Sequence, residues 1–249
     1  MKQIKIFFLG CIIALSANAQ DYTHSLEGVE WVKIESRANV IVKTHSGKEL
    51  LIKGGSHSGI PEKAKGLKLV GENGTDNTDV GYYVIKEGNN LIVRNLKKSE
   101  RSEIYLPAAQ NISVITNWHG DIEIIGFLGE VEASARLNGS VSIEDVSGPL
   151  TANTLNGTID VVFAKVSQSS PITVYSTNGA LDISLPEKTP ANVSLGTTNG
   201  EIYSNFDLSV PDKNGLRPIA TKKIKGSINN GGVKIQLKTT NGNIYLRKK

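Results

Sequence analysis

Between Trp118 and Gly242 short runs of alternating apolar and polar residues recur, built on one phrase: Asn-Gly or a close variant, any residue, then an apolar one. The copies read NWHGDIEI, RLNGSVSI, TLNGTIDV, STNGALDI, TTNGEIYS and TTNGNIYL. Aligned on Gly120, Gly139, Gly157, Gly179, Gly200 and Gly242, the second residue after each glycine is Ile122, Val141, Ile159, Leu181, Ile202 and Ile244. The fourth extends the series with Ile124, Ile143, Val161 and Ile183, fails at Ser204 and resumes at Leu246. A period of two reads as strand, and no segment shows a convincing helical period.

The glycines are spaced 19, 18, 22 and 21 residues apart, then 42. Between them lie second turns rich in Gly, Pro or Ser, so each repeat is two strands and two corners. Asn-Gly could close antiparallel hairpins, but regular spacing with like residues at like phase favours stacking of equivalent strands. Coils of about 20 residues then form a solenoid. In that arrangement Ile122, Val141, Ile159, Leu181 and Ile202 make one inward ladder. The expected reason for the glycines is a corner with positive φ, which glycine adopts freely and Asn tolerates. The double-length interval holds Val210 to Gly215, read as part of an insertion over 205–227, and Ile228 to Ile235, read as a degenerate missing copy.

Upstream, Val29 to Glu35, Val40 to Thr44 and Leu50 to Lys53 read as consecutive strands. Residues 54–81 turn to Gly, Ser, Asn and Lys and read as a loop excursion, with only Gly66 to Val70 strand-like. Glu87-Gly88-Asn89-Asn90 signals a hairpin. At the start, a basic lead, the apolar run Ile6 to Leu15 and Ala17-Asn18-Ala19 read as a secretory signal over 1–19, which leaves one β domain over 20–249. The apolar run is about half the ~20 residues a membrane-spanning helix needs. Phe8-Leu9-Gly10-Cys11 matches a lipobox only in part, and Cys11, the single cysteine, is expected to leave with the signal. No disulfide or thiol chemistry follows.

Without Lys2 and Lys5 the chain carries 26 basic residues against 24 acidic, a net charge of +2. The clusters at Lys222, Lys223 and Lys225 and at Arg247 to Lys249 lack interleaved aromatics, so they read as a solvated loop and a charged chain end, and nucleic acid is not expected as a partner. The tail is expected to guard an open solenoid end against polymerisation, giving a monomer or small oligomer. The residue three after each glycine should point outward: Glu123, Ser142, Asp160, Asp182, Tyr203 and Tyr245. Asp160 and Asp182 would then share reach of a hard cation such as Ca²⁺ and Tyr203 could stack on a sugar. A plain solvated face is the simpler expectation, because such an ion needs six or more oxygens. Asp160, Asp182, Tyr203 and Tyr245 are therefore candidate ligand-binding residues, and no metal, cofactor or catalytic residue is expected. His24, His45, His57 and His119 lack zinc spacing. Trp31 and Trp118 read as core or capping aromatics.

The signal, the repeats, the phrase Thr177 to Pro186 and the ending Gly231 to Leu246 resemble the bacterial adhesin-like family of β-helical domains, relatives of auto-transporter adhesin heads. That resemblance implies a right-handed single-stranded parallel β-helix on an exported protein of the periplasm or cell surface, with no active site to carry over. A non-enzymatic binding or scaffold protein for surface glycans or envelope proteins is the function expected. The alternative is a carbohydrate-active β-helix enzyme, a polysaccharide lyase or hydrolase.

Overall fold

The computed structural model describes residues 21–54, 61–98, 101–208 and 222–249. The expected signal over 1–19 with Cys11, His57 and most of the expected insertion over 205–227 lie outside them. The strands in chain order are β1 (Tyr22–Ser25), β2 (Trp31–Ser36), β3 (Val40–His45), β4 (Glu49–Ile52), β5 (Val70–Gly71), β6 (Gly74–Thr75), β7 (Tyr82–Glu87) and β8 (Asn90–Asn95). They continue with β9 (Ser102–Pro107), β10 (Asn111–Thr116), β11 (Ile122–Ile125), β12 (Val131–Asn138), β13 (Val141–Val146), β14 (Leu150–Asn156) and β15 (Ile159–Phe163). The last are β16 (Ile172–Asn178), β17 (Leu181–Leu185), β18 (Ala191–Asn199), β19 (Ile202–Ser204), β20 (Lys222–Ile228), β21 (Val233–Asn241) and β22 (Ile244–Lys248). One three-residue 3₁₀ turn, Glu62–Ala64, is the only helical piece among the described residues.

Two ten-stranded sheets face each other across a single core. One runs β1-β4-β9-β3-β11-β13-β15-β17-β22-β19 and the other β20-β18-β21-β16-β14-β12-β10-β2-β8-β7. The chain alternates between them, so each repeat contributes one rung with a strand in either sheet, and successive rungs pair in parallel. The protein is all-β, solenoid-like and built on long parallel sheets. The hairpin expected at Glu87 to Asn90 is present, with β7 antiparallel to β8.

The rungs do not stack in chain order. The last rung, β21–β22, lies between β16–β17 and β18–β19, and the rung β2–β3 lies between β8–β9 and β10–β11. The inward ladder therefore runs Ile122, Val141, Ile159, Leu181, Ile244, Ile202. The companion ladder runs Ile124, Ile143, Val161, Ile183, Leu246, Ser204. Ser204 is tolerated because it ends the column, on the outermost rung of that sheet. The segment Ile228 to Ile235 is not a missing parallel copy. Ile228 closes β20, which caps β18 in antiparallel fashion, and Asn229, Asn230 and Gly231, all at positive φ, turn the chain into β21. The excursion also differs from expectation, since Gly66 to Leu69 is not strand and the short hairpin β5–β6 follows it.

The repeat glycines do a different job from the expected one. Gly120, Gly139, Gly157, Gly179 and Gly200 have no positive φ, and Gly242, at 158°, is close to extended. Instead they stack, and a Cβ on Gly139, Gly157, Gly179, Gly242 or Gly200 would lie well inside 3.0 Å of the next glycine's carbonyl oxygen. Buried hydroxyls complete the column: Thr154 donates to the Gly139 carbonyl at 2.8 Å, Thr239 to Gly179 at 2.9 Å and Thr197 to Gly242 at 2.9 Å. Ala135 occupies this hydroxyl row without a hydroxyl, and Thr116 serves the Gly120 carbonyl at 2.6 Å. The preceding asparagines form a second column. Asn156, Asn178, Asn241 and Asn199 each donate an amide N–H to the side-chain oxygen of Asn138, Asn156, Asn178 and Asn241 in turn, at 2.6 to 3.0 Å.

Candidate functional site

The outward row three residues after each glycine is aligned by the parallel register as Glu123, Ser142, Asp160, Asp182, Tyr245 and Tyr203. Asp160 and Asp182 are direct neighbours on β15 and β17. Tyr203 is two rungs from Asp182 rather than one, because β22 intervenes and puts Tyr245 between them. The two tyrosine rings stack with centroids 5.4 Å apart and planes 11° from parallel. Tyr203 is 51% exposed, and the Asn243 amide donates to the Tyr245 hydroxyl at 3.0 Å.

Arg247, one residue-pair further along β22, reaches back across the row. Its Nε and Nη2 donate to the two carboxylate oxygens of Asp182 at 2.7 and 2.8 Å, and its guanidinium lies 5.2 Å from the Tyr245 ring centroid. Asp182 thus accepts a two-pronged charge-assisted bond from Arg247, and the acid pair does not have both carboxylates free for a cation. Among the described residues no group of three or more His, Cys, Asp or Glu side chains is arranged to hold a metal. Asp160 has only a 3.3 Å hydroxyl contact from Thr158. Burial beside the strip raises its pKa, the Thr158 hydrogen bond opposes this, and the neighbouring Asp182 charge raises it further.

Sequence spacing missed Arg247 because it belongs to the row two residues on from the strip, in a tail read as a solvated guard. That reading is corrected: Arg247 and Lys248 lie within β22, an inner strand of the first sheet, and Lys249 directly follows it, so the tail does not stand at an open end of the stack. Besides Arg247, Lys248 Nζ lies 5.6 Å from the Phe206 ring and Lys249 Nζ 3.5 Å from Asp145. Trp118 also departs from expectation. It sits at φ 73° and 59% exposed on the corner before Gly120, whereas Trp31 is half-buried.

The excursion builds the other concavity. The β5–β6 hairpin leans over the corner of β2 and β8 to leave a cavity of about 390 Å³, whose lining includes Arg37, Arg94, Lys98, Glu72 and Asn117. Arg37 is paired with Glu72, and Arg94 Nε donates to Glu35 at 3.0 Å, so two of its three cations are already partnered.

No curated protein matches this chain. Among solved structures it resembles a candidate cell adhesion protein from Clostridium sporogenes, with a TM-score of 0.50 and 9% identity over 92% of this chain and 99% of that one. It also resembles a candidate adhesin from Bacteroides fragilis, with a TM-score of 0.40 and 12% identity over 92% and 96%. The first is a likeness of fold. No helix among the described residues is long and apolar enough to cross a membrane. The family model for Toastrack DUF4097 matches residues 108–247, the stretch that contains the glycine and asparagine columns and the acidic and aromatic row, so this chain belongs to the Toastrack DUF4097 family.

Proposed function

We propose that the protein is an exported, non-enzymatic, adhesin-like binding or scaffold protein of the periplasm or cell surface, and that the Tyr203 and Tyr245 face engages surface glycans or envelope proteins. The observation that carries this reading is the stacked tyrosine pair at the outer end of the first sheet, flanked by the Asp182–Arg247 pair. An exposed ring offers an apolar face with a polar rim, and the adjacent ion pair offers both donors and acceptors to sugar hydroxyls. The name of the Clostridium protein agrees with such a role. In this reading the path is a right-handed single-stranded β-helix with coils of about 20 residues, supported by the strong right-handed preference of parallel crossovers. Kinship with auto-transporter adhesin heads, a single domain over 20–249 and a removed signal belong to the same reading. Antiparallel cap strands at the sheet ends support a monomer or small oligomer.

One observation favours a hydrolase instead: Asp160, whose pKa is raised by burial, stands directly beside Asp182 on the next rung, a pair of carboxyl groups in unlike surroundings of the kind glycoside hydrolysis uses. Glycan-array binding separates the readings. We expect selective retention on particular glycans, lost at least about tenfold in Tyr203→Ala, without release of reducing ends. Turnover above background that is abolished by Asp160→Asn would establish the hydrolase.

A further inference from the structure

Near-balanced sequence charge conceals a strong segregation between the two faces. On the outer face of the second sheet, the outward positions of β14, β16, β21, β18 and β20 carry no carboxylate; the first acid on that face is Glu132 on β12. The same area carries Lys223 and Lys225 on β20 and Lys234 and Lys238 on β21, all exposed. The register puts Lys223 and Lys238 on either side of Gly196, the residue of β18 between them. With strands ~4.8 Å apart, their Cα atoms are ~9.6 Å apart. Lys225 flanks Ser194 in the next outward row, opposite Gln236. The expectation that Lys222, Lys223 and Lys225 lie in a solvated loop fails, because β20 is a strand and alternation sends Lys223 and Lys225 to the same side.

Two observations separate this face from ordinary edge protection. Lysines on an edge strand discourage aggregation, but Lys234 and Lys238 stand two strands in, where no edge needs guarding. Gly196, in the middle of an inner strand, has nothing within 4 Å of the position a Cβ would take. No packing reason excludes a side chain there, and a strand interior without one is weakened unless something must approach the backbone. Four like charges within roughly two Debye lengths repel one another and are relieved by a bound polyanion.

We propose that the Gly196 saddle and its four lysines form a binding face for a linear uronate-bearing polysaccharide laid across the strands. Its carboxylates pair with Lys223, Lys225, Lys234 and Lys238, and its hydroxyls meet Ser194, Gln236 and Thr173. The lysine pair across Gly196 suits an anion repeated along an extended chain. Single-stranded nucleic acid fits less well, because it requires aromatic platforms. Here the outward aromatic is Tyr175, whose ring is occupied by Lys238 Nζ at 5.8 Å.

The test is polygalacturonate binding by the full chain, followed by calorimetry at about 50 and 200 mM salt, with dextran, double-stranded DNA and anionic lipid vesicles as comparators. We expect selective binding to polygalacturonate that weakens at least about tenfold over that salt range. Lys223→Gln combined with Lys238→Gln should weaken it about tenfold or more, since each lost contact removes a charge pair. Gly196→Thr supplies a test that leaves all charges in place: it should fold at least as stably, because the site is open and Thr suits a strand, yet bind markedly less. Retention on the glycans bound through Tyr203 should survive the double lysine substitution, which separates failure of this face from failure of the tyrosine face. Unaltered binding in either the lysine or the Gly196 variant, equal binding of dextran, or tighter binding of DNA or vesicles would overturn the proposal.

Discussion

At the residue scale the chain's chemistry is governed by how closely neighbouring rungs approach. A methyl on Gly179 would be driven into the Gly157 carbonyl, and both atoms belong to backbone fixed by the parallel ladder. Gly179→Ala should therefore destabilise the fold by about 1–3 kcal/mol or more, as overpacking does, read as a lowered urea midpoint with unchanged slope. Thr239→Val is close in shape but strands the Gly179 carbonyl without its hydroxyl donor, and a loss of about 1–3 kcal/mol is expected in the same assay. Asp160 supplies a pH-dependent case. A carboxyl whose folded pKa lies above its unfolded value, near 3.8, contributes stability in full below that value and loses it as pH rises through the folded pKa. Asp160→Asn should accordingly be more stable than the parent at pH 7, with the difference closing at about pH 3. A difference that grew toward acid would contradict the assigned environment.

At the element scale the decisive strands are those that arrive out of order. β22 fills the slot between β17 and β19, so its removal strips both of a partner along one side. Truncation after Asn243 should leave β10 to β15 protected from hydrogen exchange while β17 and β19 lose protection. Retained protection in β19 would mean that it has another anchor. The strands and ladders were legible in the sequence, because period-two alternation and glycine phase each depend on local geometry. Stacking order was not, since Ile202 and Ile244 are equally good ladder residues and nothing local says which adjoins Leu181. The interruption at Ser204 was the one available clue: a polar residue in an inward column belongs at its end. The asparagine column is present in the repeated phrase, but local geometry explains an Asn before Gly by turn tolerance alone, and its hydrogen bonds between rungs exist only once the rungs stack. Arg247 escaped for the same reason as the stacking order, as its partner Asp182 becomes adjacent only once β22 sits beside β17.

At the scale of the whole molecule, out-of-order threading fixes the order in which the stack can close. In the central rungs, partners are about one repeat apart in sequence: Ile122 pairs with Val141, and Val141 with Ile159. At the two ends partners are far more distant, with Val32 on Leu91 and Ile172 on Ile235. Tripling a loop from ~20 to ~60 residues adds about 1 kcal/mol of closure entropy, which must be met before the contacts it permits can form. The end rungs also enter as inner strands: β21–β22 takes its place between two neighbours, and β2–β3 between two others. Folding should begin over β10 to β17, where nearest-neighbour rungs assemble one on another as in other solenoids, and finish with the ends. Pulse-labelled hydrogen exchange during refolding should protect the amides of Val141 to Val161 before those of Val32, Ile34, Ile235 and Leu237. If the end rungs acquired protection first, the long loops would have to be closed in the unfolded chain, and nucleation would lie in the caps β7–β8 and β18–β20 instead.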